Sequence, residues 1–266
     1  MKKQLVFIGY GAMAKSVHQR LPTTLELAAV VVTERSWAQT RAQLPDRVQV
    51  VISVDQLALD TAPDLVLEMA GQEGLKRHGV SVLQRGWPLA VISVGALADE
   101  ALAQSLRQAA RQQGTQVRIL PGAVAGMDGL DAARIMGLDE VRYQGRKPPQ
   151  GWRGSAAEKR VDLDSVAAPT VFFQGSAREA ALLFPANANV AATIGLAGVG
   201  LDHTRVELIA DPHIDSNQHQ IMARGAFGRL EISVQGVVLP DNPKTSTLAA
   251  LSVVRACLQL EDCLVI

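Results

Sequence analysis

Two cysteines in 266 residues are too few for a disulfide framework, and both, Cys257 and Cys263, stand near the end of the chain. Neither sign of charge is in excess: 26 lysines and arginines balance 26 aspartates and glutamates. Bulk electrostatics therefore supplies no drive toward nucleic acid or an anionic membrane surface. No run approaches the roughly 18 apolar residues that a membrane span needs. The opening MKKQLVFIGYG mimics a secretory leader only in outline, because its apolar stretch is short and breaks at glycines. Internal repeats and low-complexity tracts are missing too. Asp211, His213, Asp215 and His219 match no zinc spacing, so no metal is expected. What these absences leave is a globular, cytoplasmic protein, 48% hydrophobic and long enough for two lobes.

The most informative segment present is 5–14, a short apolar run flowing into Gly9-Tyr10-Gly11-Ala12-Met13-Ala14. This G-x-G-x-x-A turn is the alanine form of the dinucleotide fingerprint. Gly9 permits a tight turn out of a buried strand, and Gly11 lets the backbone approach a pyrophosphate without a side chain in the way. Ala14 keeps the following helix, 15–21, close to the sheet, with its free N–H groups facing the phosphates. Gly9, Gly11, Ala12 and Met13 are the candidate cofactor contacts of this turn. The bland alternative is a tight strand-to-helix connection with no ligand.

Strand-like runs at 25–32, 48–53, 64–69, 89–94 and 116–120 alternate with helical stretches, among them 74–85 and 99–113. Valine- and leucine-rich strands separated by helices imply a Rossmann-type, doubly wound parallel sheet. The texture changes after Pro121-Gly122. A helical stretch at 126–136 precedes alternating, strand-like stretches at 140–144, 171–174, 204–210, 218–226 and 229–238. The last two flank Phe227-Gly228, a hairpin signal, so the second half is expected to be α/β with a mixed or antiparallel sheet. Lys147-Pro148-Pro149, with Gly151 and Gly154, reads as a loop. After Pro240-Asp241-Asn242-Pro243, a final helix at 245–260 is expected to pack back on the first part. The expected organisation is a dinucleotide-binding domain of 1–121 plus 241–266, and a catalytic and dimerisation domain of 122–240.

Thr33-Glu34-Arg35-Ser36 follows the second strand, where the adenosine ribose is met. Glu34 suits the free diol of NAD, whereas Arg35 with Ser36 suits the 2′-phosphate of NADP. Use of both is expected, and a surface pair touching no cofactor is the alternative. Three segments of the second half are unusual. The small residues of 120–130, LPGAVAGMDGL, suit either a flat ring laid against the backbone or a plain connection. Asn187 and Asn189 precede a run of small helical residues; they suit an N-cap, and their amides can also donate to a carboxamide or a carboxylate. His219 shares strand parity with Ile221 and Ala223, which turns it inward as a core residue or a catalyst.

Taken together, the chain resembles the L-aspartate dehydrogenase family along its whole length. The resemblance rests on the fingerprint, Ser93-Val94-Gly95-Ala96-Leu97, Pro121-Gly122-Ala123, Phe184-Pro185-Ala186-Asn187, Asn189-Val190-Ala191-Ala192, Asn217-x-His219 and Asn242-Pro243-Lys244-Thr245-Ser246. It implies NAD(P)-dependent oxidative deamination of aspartate to iminoaspartate, then oxaloacetate and ammonia, by a homodimer. It further implies His219 as the catalytic histidine, Ala123 and Asn189 as cofactor contacts, and a supply of iminoaspartate to NAD biosynthesis. Thr33-Glu34-Arg35 departs from the pattern, because an aspartate is more usual there, and this leaves the nucleotide preference open.

Loss of a hydride from the α-carbon, addition of water and departure of ammonia require a group that takes and returns protons near neutral pH, and histidine suits that task. Two substrate carboxylates call for cationic or amide donors, for which Lys244, Asn187 and Asn189 are the candidates, with backbone N–H groups assisting. Rival readings keep the first half and change the chemistry. One is a reductase or dehydrogenase of another aspartate-derived metabolite, of the dihydrodipicolinate reductase or homoserine dehydrogenase kind. The other is a non-catalytic NAD(H)-sensing module.

Overall fold

The computed structural model describes residues 2–58, 62–185, 187–239 and 242–265, with the backbone alone for 242–245. Strand β1 (Lys3–Ile8) carries no polar–apolar alternation after Gln4, and Leu5, Val6 and Phe7 are fully buried. Such a strand can only lie inside a sheet covered on both faces. It pairs in parallel with β2 (Leu25–Val31) on one side and β4 (Leu65–Glu68) on the other. With β3 (Gln49–Val51), β5 (Leu89–Val91) and β6 (Val117–Ile119) it forms a parallel sheet of order β3-β2-β1-β4-β5-β6. The order reverses direction beside β1, and ligands of such sheets bind past the carboxyl ends of the strands at that point.

Helices α1 (Ala12–His18), α2 (Glu34–Gln43), α3 (Gln72–Gln84) and α4 (Glu100–Gln113) connect the strands. Local chemistry sets their ends. The Asp99 carboxylate accepts from the Ala101 and Leu102 amides at the start of α4, and Gly114 ends it at φ 65. The strand expected over 89–94 stops at Val91, because a 3-10 turn, Val94–Ala98, takes over. Residues Met1–Leu120 and Ala250–Ile266 form one compact unit. In it the Thr24 hydroxyl donates to Glu261 at 2.6 Å.

The second unit is Pro121–Ala249. Its main sheet joins β7 (Leu138–Lys147), β8 (Thr170–Ser176), β9 (Arg205–Ala210), β10 (Asn217–Gly225) and β11 (Gly228–Gly236) in the order β11-β10-β7-β9-β8. The β7–β9 pair is parallel and the other pairs are antiparallel, so the sheet is mixed. The hairpin closes at Gly225 opposite Gly228 around Ala226-Phe227, one residue earlier than the expected dipeptide. Helices α5 (Met127–Arg134), α6 (Ala177–Leu183) and α7 (Asn189–Ala197) complete the unit with the ribbon β12 (Val238–Leu239) and β13 (Asn242–Ser246). The fold class is therefore α/β, a Rossmann-type parallel sheet with a second, mixed-sheet unit.

Three local departures from the sequence expectations have physical causes. Lys147 belongs to β7 and pairs with Ala210 of β9, so the loop starts only at the prolines, which cannot continue the ladder. Helix α6 begins with a Ser176–Glu179 capping box, a signal that the run of small residues after it obscures. Strand β13 takes in Thr245 and Ser246, the first two residues of the helix expected over 245–260, so the last helix, α8 (Thr247–Leu258), starts after it. That pairing keeps the ribbon in the second unit, and the first unit resumes at Ala250 rather than at 241. Both cysteines are free, Cys257 buried and Cys263 exposed. Among the described residues no helix is long and apolar enough to cross a membrane, and no cluster of ligating side chains could hold a metal.

Candidate functional site

The first unit presents a cleft of about 450 Å³ beyond the carboxyl ends of β1, β2 and β4. Gly9 sits at its floor with φ +92, and a Cβ there would come within 2.8 Å of the Ala70 Cα. Only glycine satisfies both the angle and the approach. Gly11 is the N-cap of α1, where no side chain caps the helix and a Cβ would meet nothing within 4 Å. The open space and unsatisfied amides of that turn fit a phosphate group. Ala12 and Met13 open α1, half-buried. The wall beyond β2 is lined by Thr33 and Ser36, whose hydroxyls lie 3.0 Å apart, and by Gln39. Glu34 and Arg35 stand exposed on the first turn of α2, outside that lining. The helix begins at Glu34, and its rotation turns the i and i+3 positions Thr33 and Ser36 inward.

Glu68 ends β4 and escaped the sequence reading. Its side chain is buried and accepts from the Ala70 amide at 2.8 Å, the Ser93 hydroxyl at 2.9 Å and the Ser93 amide at 3.0 Å. One carboxylate thus ties together the loops that follow β4 and β5. Burial raises its pKa to about 7, against the lowering effect of the hydrogen bonds from Ser93, Ala70 and Gly71.

The second unit gathers polar side chains on the covered face of its main sheet. His219 is 4% exposed, as its parity with Ile221 and Ala223 requires. Its Nδ1 shares a 2.9 Å hydrogen bond with the Tyr143 hydroxyl, and the rings stack at 17°. The register explains the contact. Gly145 lies directly opposite His219 on β7, and a Cβ on Gly145 would fall 2.6 Å from the Tyr143 hydroxyl. Glycine clears the path between the two rings. Tyr143 stays protonated, because burial pushes its pKa up. Burial, and then the charge of Lys147, lower His219 to about 4, so its imidazole is neutral at physiological pH.

Lys147 occupies the next inward position of β7 after Gly145, and it is buried. Its ammonium donates to Asn187 Oδ1 at 2.9 Å and lies 4.8 Å from the centre of the Trp152 ring. Burial lowers its pKa to about 8. Trp152 is fixed in turn by its N–H donating to the Ile209 carbonyl at 2.9 Å and by edge contacts with Phe172 and Phe184. The sequence reading missed this lysine by ending the strand too soon; extending the inward parity of Tyr143 and Gly145 by one step finds it.

Of the other expected site residues, Asn187 joins this cluster through Lys147, and Asn189 begins α7 with its carbonyl accepting from Thr193. Ala123 is buried in the turn after Gly122, whose φ is +67. Lys244 lies on β13 and its side chain falls outside the described residues, as does Ala186 of the Phe184–Asn187 motif.

Comparison with known proteins agrees with this picture. The family model described as aspartate dehydrogenase, C-terminal, matches residues 128–260, and the homoserine dehydrogenase NAD binding domain matches residues 8–120. The L-aspartate dehydrogenase of Psychrobacter cryohalolentis is 52% identical over 260 residues, 98% of each chain. That of Acinetobacter baumannii is 52% identical over 255 residues, 96% of each chain. The solved aspartate dehydrogenase of Thermotoga maritima is similar over 100% of both chains, with a TM-score of 0.77 at 25% identity. With an NAD-binding domain in its first half and the aspartate dehydrogenase C-terminal domain in its second, the chain belongs to the L-aspartate dehydrogenase family.

Proposed function

We propose that the protein oxidises L-aspartate with NAD or NADP, releasing oxaloacetate and ammonia through iminoaspartate. The observation that carries this reading is the buried pair of His219 and Tyr143 beside Lys147, in a chain 52% identical to proteins named for that activity. When bound, a nicotinamide dinucleotide supplies the hydride acceptor. Gly9, Gly11, Ala12 and Met13 would hold its phosphates, Thr33 and Ser36 its ribose, and Ala123 and Asn189 would be further contacts. Glu34 and Arg35, exposed beside the cleft, tune the choice of nucleotide from outside its wall.

His219 does the proton work. In the tautomer with Nδ1 protonated, Nδ1 donates to the Tyr143 oxygen and Nε2 carries a free lone pair. Nε2 takes a proton from the water that adds to the imine carbon and returns it to the departing nitrogen. Tyr143 holds the tautomer and the ring plane, a positioning role. Asn187 and Lys244 bind the substrate carboxylates, Asn187 through the amide N–H groups that its bond to Lys147 leaves available. The iminoaspartate formed first can also leave the site and enter NAD biosynthesis.

We place the protein in the cytoplasm, with its substrate and cofactors, as a homodimer. The outer face of the second unit's main sheet, with a groove of about 1250 Å³ lined by Arg142, Gln144, Glu207, Gln220 and Met222, is the surface offered for pairing. Sedimentation of the purified protein tests that point, and a monomer at micromolar concentration defeats it.

Absorbance at the reduced nicotinamide band, with a panel of amino and hydroxy acids and either nucleotide, tests the activity. Turnover of aspartate is the expected result. Turnover of homoserine without aspartate, or NADH binding with no turnover of any amino acid, overturns the reading.

A further inference from the structure

Among the described residues, one buried cation of the second unit has no anion to face it. Arg146, the neighbour of Lys147 on the other face of β7, is paired with Asp211 at 2.7 Å. Lys147 has no such partner among the described residues. Its ammonium donates once, to Asn187 Oδ1, and rests on the Trp152 ring. No neighbouring acid raises its pKa; burial alone acts on it and lowers it. A buried ammonium left with two unused N–H groups is costly to keep, and an anionic ligand is what offsets that cost.

Its position relative to His219 gives the ligand a shape. His219 stands opposite Gly145 and Lys147 lies two residues further along β7 on the same face. Two strand residues span about 7 Å. A compound that presents its α-carbon to the imidazole and carries a carboxylate on a short arm meets both groups on the same face of the sheet. A substrate with a methyl group in place of that carboxylate leaves the ammonium unpaired.

We propose that Lys147 is the specificity-determining cation of this site, receiving the side-chain carboxylate of a four-carbon dicarboxylic amino acid, with Asn187 held beside it as an amide donor. This rests on the reading of the site as one that oxidises aspartate. It also has a chemical consequence for the histidine. A carboxylate seated on Lys147 cancels one of the two causes that hold His219 below its ordinary value, so the base strengthens when the correct substrate arrives.

The test measures KM and kcat for aspartate, the inhibition constant of succinate, and NADH affinity by fluorescence, in the wild type, K147M and K147R. In K147M, KM for aspartate and the succinate constant rise about a hundredfold, kcat stays within about fivefold, and NADH affinity is unchanged. K147R keeps the charge and recovers part of the loss. K147M values within threefold of wild type overturn the proposal, as does a fall in kcat alone, which a merely structural lysine would give.

If K147M does not show a cooperative melt, calorimetry on the NADH-bound wild type at pH 8.5 in two buffers decides. Of the titratable groups facing Lys147, Tyr143 stays protonated and His219 neutral at that pH, while Lys147 is largely uncharged and takes up a proton as succinate binds. Succinate binding without proton uptake, or no binding, overturns the proposal. A wild type inactive on aspartate defeats the functional reading instead, whereas an active wild type with unaltered K147M defeats only this inference.

Discussion

In the first unit the cleft is made by subtraction. Gly9 and Gly11 remove side chains at the end of β1, Gly74 makes room for Ala70, and the groups offered to a ligand are main-chain amides. In the second unit the site is made by addition. Tyr143 and Lys147 of β7, His219 of β10 and Asn187 just before α7 converge, and Tyr143 meets His219 from 76 residues away. A backbone cradle depends on a few consecutive residues and recognises what many proteins share, a pyrophosphate. A cluster of side chains depends on strand register, and it recognises what distinguishes one substrate from another. The difference predicts that damage to the two units will separate in kinetics.

The largest effect is expected for H219A, which should lower kcat on aspartate about a hundredfold or more while NADH affinity, read by fluorescence, stays near wild type. A near-normal rate would remove His219 from the chemistry and with it the contrast between the units. G9A should do the opposite. The added methyl meets Ala70 in a backbone conformation that costs about 1–3 kcal/mol. NADH affinity and melting temperature should both fall, with kcat at saturating cofactor largely kept. Normal NADH affinity in G9A would show that the cradle is not where the dinucleotide binds.

Y143F should cost about tenfold in kcat and move the acid limb of its pH profile, because the ring of His219 loses the hydrogen bond at Nδ1. A pH profile identical to wild type would reduce Tyr143 to packing. S36D places a carboxylate on the cleft wall and should weaken NADPH several-fold more than NADH, whereas exchange of the exposed Glu34 should shift that ratio less. The reverse ranking would put the ribose contact back on the outer turn.

The smallest effect concerns stability in acid. His219 takes its proton near pH 4 in the folded chain but near 6.5 when unfolded. The unfolded state therefore binds the proton first, and stability should fall as pH drops from about 6.5 toward 4. Melting curves of H219Q across that window should be flatter than those of the wild type. Equal slopes would assign the acid sensitivity to other buried groups such as His18 and His78, which burial also lowers.

Much of the first unit was legible because its signals are short-range. The fingerprint spans six residues, the parallel strands are unbroken valine and leucine runs, and Asp99 and Gly114 mark their helix from both ends. Glu68 was not legible in its role. A glutamate closing an apolar strand is visible in order, but the two loops it ties together are brought to it by β4–β5 pairing. Lys147 was hidden by the two prolines after it, which made its neighbourhood look like a loop. Which residues of 33–36 line the cleft was not legible either: order places all four after a strand, and helix rotation turns Thr33 and Ser36 to the lining while Glu34 and Arg35 stand exposed beside it.

Residue order alone was enough for the α/β class, the dinucleotide turn, the inward face of His219 and the family resemblance, because each depends on nearest neighbours and on periodicities of the backbone. Folding decided the rest. It buried Lys147 with no counter-ion among the described residues, set Gly145 opposite His219 so that Tyr143 could reach it, and turned Thr33 and Ser36 rather than Glu34 and Arg35 to the cleft. Those are matters of register and burial between distant segments, and the energies of charges and hydrogen bonds depend on the water that such packing removes.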